Sequence, residues 1–562
     1  MRLALLFFLL TTGATAQTVT SRFPLRNTQA ARGANVVVTL ATPVAPNASL
    51  SVLSTQAGGK KAGTTTITGT TVTFNPTVDF KAGETVTATF ASGTGTNHVW
   101  QFTAGAQRSS GFFYSEFLAL AMPSPSSMGG AALADFNGDG SLDLVTSLGA
   151  APPPAVPAQY RLAFNNGRGT MRSNTALISL PPNQFEAPPE VTDVDGDGDL
   201  DMLRPSVRGD SLLTLVNNGL GTFASRLQPL PSPIPNRSGF MLASGDFDGD
   251  GDVDIVTPRG FSSADSLKVG LNDGLGNFRF ARRAGPTGYS VSRILPGDLD
   301  NDGDLDLVVY SYGAVELFLN DGRGGFPSKR LITSSNPRDM LLADFNGDGN
   351  LDLTVLYPQG SQGAGQVAVL YNNGMGVFGG NNLSPISITN YPHIMAAADM
   401  EGDGDLDLFV SRFNGGIHVL ENPGTGLNNS YRSFGPGGQV VNLAMGDLDN
   451  DGDVDIAAPD ALGTQVRFPR NDTSPTAVRP GNDVVVSLHP LPVPRGAMSR
   501  LQFDRPLLGT LLLHSPMGQL VRQQKLAGAT ADIATAGLAP GLYLLTVQAD
   551  DQAPFTRRLV VE

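Results

Sequence analysis

The sequence predicts an all-β chain: a seven-bladed β-propeller flanked by two β-sandwich domains. Three observations carry this. A ten-residue Asp/Gly pattern occurs seven times between residues 135 and 456. Each copy is followed by a short β-rich run such as LDLVTSL, VDIVTPR or LDLVVYS and not by a helical pattern. Gly (67) and Pro (40) make up about one residue in five of the 562, with no collagen-like period, as in a turn-dense all-β protein.

The copies are DFNGDGSLDL, DVDGDGDLDM, DFDGDGDVDI, DLDNDGDLDL, DFNGDGNLDL, DMEGDGDLDL and DLDNDGDVDI, with first-Asp spacings of 58, 53, 52, 46, 55 and 48 residues. Between loops the unit repeats as strand, Asp loop, strand, variable connection, strand and hairpin turn, then a fourth strand. The turns are Asn165–Gly169, Asn217–Gly221, Asn272–Gly276, Asn320–Gly324 and Asn372–Gly376, and the sixth, ENPGTG from Glu421, is degraded. Four strands per unit of about 50 residues, seven times, is a propeller pattern.

The loops have the chemistry of a hard-cation site. Position 1 is Asp135, Asp193, Asp246, Asp298, Asp344, Asp399 or Asp447. Position 3 is Asn137, Asp195, Asp248, Asp300, Asn346, Glu401 or Asp449. Position 5 is Asp139, Asp197, Asp250, Asp302, Asp348, Asp403 or Asp451. Position 9 is Asp143, Asp201, Asp254, Asp306, Asp352, Asp407 or Asp455. Alternate residues of a curled loop point inward, so these oxygens converge. Position 7 varies (Ser141, Asp199, Asp252, Asp304, Asn350, Asp405, Asp453), as expected of a site that uses its backbone carbonyl. Position 6 is always Gly, and position 4 is Gly or Asn (Asn301, Asn450); both types accept the left-handed backbone of a tight turn. Many oxygen ligands on a flexible loop describe calcium better than magnesium. Up to seven Ca²⁺ are expected, one per loop. Glu401 is a methylene longer than Asp, and Asn137 and Asn346 coordinate with less charge.

An EF-hand is excluded. It needs a bidentate Glu at position 12, where this chain has Thr146, Arg204, Thr257, Val309, Val355, Val410 and Ala458.

Charge follows the same loops. The net charge is −14, and 31 of the 51 acidic residues sit at the five alternate loop positions, leaving 20 acids against 37 Lys and Arg. Seven Ca²⁺ would cancel the net charge, so the acidity is a metal-site signature. With no Cys in the chain, calcium is expected to take the stapling role that disulfides have in many exported proteins.

Residues 1–16, MRLALLFFLLTTGATA, have a basic residue, a short apolar run and a small-residue end, the pattern of a secretory signal with Gln17 as mature start. The run is too short to span a bilayer. Residues 17–106 alternate Thr and Val in NVVVTLATPV, TTTITGTTVTF and ETVTATF, predicting a small sandwich with Trp100, the single Trp, as a core or strand-edge residue. The order ending in FNPTVDFKAGETVTATF and HVWQFTAG resembles the bacterial Ig-like domain, which implies a spacer or adhesive role.

Residues 107–472 hold the repeats. They resemble the FG-GAP/VCBS repeats, which include the calcium-binding propeller of integrin α subunits. The resemblance implies the propeller fold and calcium at the loops named above. The seventh unit lacks its last strand after TQVRFPRN, while GFFYSEFLAL (111–120) precedes the first loop. Pairing of 111–120 beside 464–469 is therefore expected, which removes two open edges.

Residues 473–482, TSPTAVRPGN, form a linker. Residues 483–562 are β-rich, and HPLPVPRGAMSRLQF, HSPMGQLVRQQKL, TAGLAPGLYLLTV and RRLVVE come in the order of the type A sorting domain of the type IX secretion system. Gly537-Leu538-Ala539-Pro540-Gly541-Leu542-Tyr543 is the most specific part. Leu491, where Asn-Pro is usual, and Arg557-Arg558, where Lys is common, depart from the pattern. The resemblance implies an Ig-like terminal sandwich, contact with the type IX machinery, and secretion or attachment at the outer-membrane surface of a Gram-negative bacterium.

No catalytic constellation stands out. The five His are His98, His393, His418, His489 and His514; the two in the repeats lie in no nucleophile elbow, and His418 reads as a strand residue. Without Cys, a Cys nucleophile is excluded and a zinc site is not expected. There is no phosphate loop, dinucleotide fingerprint or basic nucleic-acid patch. Arg208-Gly209-Asp210-Ser211 spells a cell-attachment tripeptide, a short match that chance supplies readily in a chain of this composition.

The Asp loops and NNGxG turns share one face of the propeller and are nearly uniform, whereas the connections on the other face vary, so ligand recognition is expected opposite the calcium loops. Arg161, Arg259, Phe261, Tyr312, Tyr357 and Phe413 are candidates for its lining. The expectation is a monomeric, exported binding or adhesion protein for a glycan or protein ligand; the alternative is a carbohydrate-active enzyme on the same scaffold.

Overall fold

The computed structural model describes residues 17–93, 97–109, 111, 113–121, 128–148, 158–171, 176–180, 188–206, 210–230, 242–258, 266–286, 291–311, 313–359, 364–379, 386–388, 391–413, 415–428, 430–435, 438–460, 465–471, 486–489, 496, 498–515, 520–539, 541–549 and 555–561. All regular structure among them is β, and no helix is long and apolar enough to cross a membrane. The chain divides into two compact units, Met1–Thr473 and Ser474–Glu562. The signal segment and the linker lie outside the described residues.

The first unit begins with a sandwich. One sheet orders Val19–Phe23, Val36–Leu40, Thr71–Pro76 and Gly63–Thr68, and the other Gln29–Ala30, Asn97–Ala104, Thr85–Ala91 and Ser49–Ser54. Alternation sends Val36, Val38, Val52, Phe74, Phe90, Trp100 and Phe102 into one core shared by both sheets. Trp100 is a core residue, 1 % exposed, whose Nε1–H donates to Pro24 O at 3.1 Å.

Seven four-stranded antiparallel sheets follow among the described residues. The first is Met128–Ala134, Asp143–Leu148, Gln159–Ala163 and Ala176–Ser179, each strand pairing with the next. Five more sheets repeat this order through Arg432–Phe434. The seventh takes Ala444–Gly446, Asp455–Pro459 and Gln465–Asn471 and completes itself with Phe113–Ala121, which pairs Ala121 with Gln465 and Phe113 with Asn471. The strand expected to come from before the first loop is the one used.

The second strands are buried along most of their length, and throughout in Asp143–Leu148 and Asp455–Pro459, because a neighbouring sheet covers each face. The outer strand Phe223–Pro229 is mostly exposed. The apolar cores lie between successive sheets. Phe136 and Leu162 of the first sheet meet Met202 and Leu215 of the second. Equivalent clusters join second to third, third to fourth, fourth to fifth, fifth to sixth and sixth to seventh. A further cluster packs Leu133 and Leu144 of the first sheet against Ala457, Val466 and Phe468 of the seventh.

In the second unit the described residues form one five-stranded sheet instead of the two separate sheets expected of a sandwich. The reason is Met498–His514, long enough to serve two sets of partners. Its first half pairs Val486–His489 and its second half Gly541–Ala549, while Leu520–Ala534 runs along both. The register shifts between Gln502 and Leu507, and residues from both halves, including Leu501, Leu511, Leu513 and Ile533, share one core. Within the Gly537–Tyr543 motif, Tyr543 Oη donates to Ala539 O at 2.9 Å.

Candidate metal centres

Every loop adopts the backbone its sequence requires. Position 4 has positive φ in all seven, from Asn450 at 60° to Gly196 at 74°, and position 6 from Gly140 and Gly349 at 83° to Gly404 at 104°. Those two turns curl the loop around its first Asp. Asp193 shows the pattern: Oδ1 accepts from Gly196 N–H at 2.8 Å and Oδ2 from Gly198 N–H at 2.9 Å. At position 5, Asp197 Oδ1 accepts from the N–H of Asp199 at 2.9 Å, and the other six loops repeat this bond.

The position-9 carboxylates, Asp143, Asp201, Asp254, Asp306, Asp352, Asp407 and Asp455, are all completely buried. Each joins its loop to the following hairpin turn. Asp201 Oδ2 accepts from Val194 N–H at 3.0 Å and Oδ1 from Asn217 N–H at 2.7 Å, and the pair of bonds recurs in every sheet. Burial pushes these carboxyls up, to about 7 for Asp143, Asp201 and Asp352, about 8 for Asp306 and about 9 for Asp254 and Asp407. Nearby loop carboxylates push the same way.

In five loops three carboxylates bring an oxygen each within 4.8 Å of one another. In the second, third and fourth loops these are positions 1, 3 and 5: Asp193, Asp195, Asp197; Asp246, Asp248, Asp250; Asp298, Asp300, Asp302. In the sixth and seventh they are positions 1, 3 and 9: Asp399, Glu401, Asp407; Asp447, Asp449, Asp455. The first and fifth loops differ. There Asn137 and Asn346 fold back onto their own loop, each donating Nδ2–H to Asp139 or Asp348 and accepting the same residue's N–H at 3.0 Å. The position-7 side chains stand outside all five clusters. Ser141, Asp199, Asp252, Asp304, Asn350 and Asp405 crowd the middle Gly of the adjoining turn, where a Cβ would come within 3 Å of each.

The donor set fits a divalent cation. Several buried oxygens of the clustered carboxylates have no hydrogen-bond partner: Oδ1 of Asp195, Asp298, Asp300 and Asp447. Such oxygens cost free energy unless a positive charge faces them. Clustered hard oxygens are also the donors that Ca²⁺ takes.

The N-terminal sandwich and the segment that leaves it, as far as Ser109, lie against this same face and together meet all seven loops. Lys81 Nζ donates to Gly140 O of the first loop. In the second, the N–H of Lys60 donates to Asp193 Oδ2 at 2.8 Å. In the third, Thr89 Oγ1 donates to Asp246 Oδ2 at 2.6 Å, and Lys60 Nζ reaches Asp252 at 3.0 Å. In the fourth, Arg26 donates to Asn301 O at 2.9 Å and stands 3.6 Å from Asp298 Oδ2. Asn27 donates to Gly349 O of the fifth at 3.1 Å, Ser109 N–H to Glu401 O of the sixth at 2.9 Å, and Gln107 N–H to Gly452 O of the seventh at 2.7 Å. Arg32 adds an ion pair to Asp447 at 3.7 Å. The signal for this docking was in the charges: residues 17–106 carry six Lys and Arg against two acids. A cavity of about 260 Å³ remains between Asn27, Gly83 and Gln101 of the sandwich and Leu342, Asp344 and Asp399 at the loop ends of inner strands.

A second set of residues matters as much and has no place among the expected ligands. The first Asn of each turn is buried: Asn165, Asn217, Asn272, Asn320, Asn372 and Asn422, with Asn471 in the seventh sheet. Each donates Nδ2–H to the position-2 carbonyl of the preceding sheet's loop at 2.7–2.9 Å. The sixth turn, degraded in sequence, keeps this Asn, and the constant Asn after each third strand was the available signal.

Of the other candidate residues, Arg161 is buried, Tyr357 half-buried and Phe413 exposed. Arg259, Phe261, Tyr312, Arg208 and Gly209 lie outside the described residues. Asp210 Oδ1 accepts from Ser206 Oγ at 2.6 Å and Ser211 Oγ at 3.1 Å, so its carboxylate is tied into its own loop. His418, on the strand Ile417–Leu420, makes a cross-strand bond from Nδ1 to Ser433 Oγ at 2.6 Å.

A family profile, the FG-GAP-like repeat, matches residues 260–309, 298–355, 344–410 and 399–458. Residues 260–458 match FG-GAP-like repeats. Each matched segment includes at least one Asp loop, so the match takes in the loops that begin at Asp298, Asp344, Asp399 and Asp447. No curated protein sequence matches. Among solved structures, an Agrocybe aegerita lectin that recognises non-reducing terminal N-acetylglucosamine aligns over 78 % of this chain and 99 % of its own, at 18 % identity and TM-score 0.40. A Bacteroides thetaiotaomicron protein of unknown function aligns over 81 % and 98 %, at 11 % identity and TM-score 0.29. The extracellular domain of a putative hybrid two-component system of the same species aligns over 98 % and 76 %, at 10 % identity and TM-score 0.38.

Proposed function

We propose that this chain is an exported, monomeric binding protein built on a closed seven-bladed propeller that holds calcium in its Asp loops. Positions 1, 3 and 5 of each loop, with position 9 in the sixth and seventh, would supply the ion's side-chain oxygens. The ion would neutralise carboxylates that otherwise repel across a few ångströms. Position 9 has a second task, holding the loop to the turn Asn.

Ligand recognition belongs to the face opposite the loops. The observation that carries this is the contact of the N-terminal sandwich, with the segment leaving it, across all seven loops, which leaves the other ends of the inner strands for a glycan or protein ligand. The sandwich is then a cap on the calcium face and not a detached spacer. Export would use residues 1–16, and residues 483–562 would engage the type IX secretion machinery and place the protein at the outer surface of a Gram-negative cell.

A glycan and extracellular-matrix binding array tests the reading. Bound ligands should be lost on chelation and weakened by F413A or Y357A at the opposite face. Ligands that survive both, and that instead compete with the sandwich for the loop face, would overturn it. Deleting 483–562 should abolish surface display; display that persists would remove the secretion assignment.

A further inference from the structure

The cavity at the loop-distal ends of the fourth, fifth and sixth sheets differs in chemistry from everything on the loop face. It holds about 440 Å³ and is lined by Ser292, Arg293, Tyr310, Arg338, Asp339 and His393, among others. Ser292 and Arg293 begin the strand Val291–Gly297, Arg338 precedes Asp339–Ala343, and His393 begins Pro392–Ala398. All three strands run from here into an Asp loop, so the cavity belongs to the face opposite the loops.

Among its lining residues the charges do not cancel, although Glu190 of the second sheet also acts on Arg293. Arg293 Nη2 lies 3.1 Å from Asp339 Oδ1, and Asp339 Oδ2 accepts from Met395 N–H at 2.7 Å. Asp339 is buried, and this pairing occupies both its oxygens. It is the one acid among the lining residues, so the exposed Arg338 beside it adds a positive charge that the lining does not balance. Burial, then the charge of Arg338, pushes the His393 imidazole down to about 4, so at neutral pH it offers a neutral ring. Its Nδ1 is buried with no hydrogen-bond partner.

Flat apolar surface stands beside these groups. His393 stacks on Phe413, with centroids 5.9 Å apart and planes at 15°. The N–H of Phe413 donates to Tyr391 O at 2.8 Å. Phe413 and Tyr391 are 38 % and 49 % exposed. A spare guanidinium selects an anion, best a planar carboxylate. Neutral imidazole and hydroxyl groups suit a polyhydroxylated molecule, and exposed rings suit the C–H face of a sugar. An acidic peptide would use the cation but not this combination, and a neutral glycan would leave the cation unused.

We propose that this cavity binds a carboxylate-bearing saccharide, a hexuronic acid unit within an oligosaccharide, with Arg338 holding the carboxylate and Phe413 and Tyr391 covering the ring. The inference rests on the opposite-face reading and adds the ligand's chemical class.

Titration calorimetry on the full calcium-loaded chain tests it with oligomers of galacturonate, glucuronate and mannuronate. Their carboxyl-reduced neutral counterparts, a sulfated oligosaccharide and polyglutamate are the comparison arms. At least one uronate series should bind, its reduced form should not, and R338A should weaken binding by roughly tenfold or more with an unchanged melting temperature. F413A should weaken the same ligand. Absence of binding by all three uronates, equal binding of the reduced form or of polyglutamate, tighter binding of the sulfated sugar, or an unaffected R338A would each overturn the inference. If a different ligand then proves sensitive to substitutions on this face, the opposite-face reading stands without it.

Discussion

Asn165 Nδ2 donates to Leu448 O at 2.7 Å, joining the first sheet to the seventh across 283 residues of chain. The same nitrogen donates to Leu142 O within its own sheet at 3.0 Å. One buried amide therefore satisfies two buried carbonyls, and six equivalents do the corresponding work between neighbouring sheets.

Asn165→Ala should cost about 1–3 kcal/mol, the penalty for leaving buried carbonyls without donors. Asn422→Ala, in the turn whose sequence looks degraded, should cost a similar amount. Denaturant unfolding of both variants checks this, and a neutral N422A would mean that the sixth turn does not take part in the same way.

Calcium should not fill the loops equally. The second, third, fourth, sixth and seventh loops gather three carboxylates, whereas Asn137 and Asn346 bond within the first and fifth. Elemental analysis across a calcium titration should give about five tight sites and two weak ones, and N137D should convert one weak site to tight. Chelation should lower the melting temperature, because clustered carboxylates then repel.

Docking of the sandwich should depend on ionic strength. Arg26, Arg32 and Lys60 face loop carboxylates at 3.6, 3.7 and 3.0 Å, and such partly exposed pairs are worth only about 0.2–1 kcal/mol each. The triple variant R26E/R32E/K60E should loosen the cap, giving a larger radius in small-angle scattering and faster hydrogen exchange in the loops. An unchanged profile would assign the docking to its backbone and neutral hydrogen bonds.

His393 should make stability pH-dependent. Its folded pKa of about 4 lies below the ordinary 6.5, so the unfolded chain binds a proton that the folded chain refuses. The stability this represents is complete above 6.5 and is lost as pH falls toward 4. H393Q should therefore gain on the wild type as the pH is lowered through that window. Parallel melting curves at pH 7 and 5 measure the difference.

Much of the molecule was legible in residue order because the loops repeat. Seven Gly at position 6 and Gly or Asn at position 4 are dictated by local backbone sterics, and the chain adopts the left-handed conformation at every one. The borrowed strand was legible too, since GFFYSEFLAL has no partner in its own repeat and the seventh repeat lacks one. The five-stranded C-terminal sheet was harder to read, because the register shift within Met498–His514 makes one long strand look in sequence like two.

Residue type and spacing within ten residues were enough for the all-β character, the seven loops and their oxygen-donor chemistry. Packing alone makes each position-9 Asp bond its loop to a turn, sets the turn Asn on the neighbouring sheet, and lays the sandwich on the loop face with a basic cavity at the other. Those arrangements join groups tens to hundreds of residues apart. No local periodicity records them, and they exist only once packed sheets bring buried donors to buried acceptors.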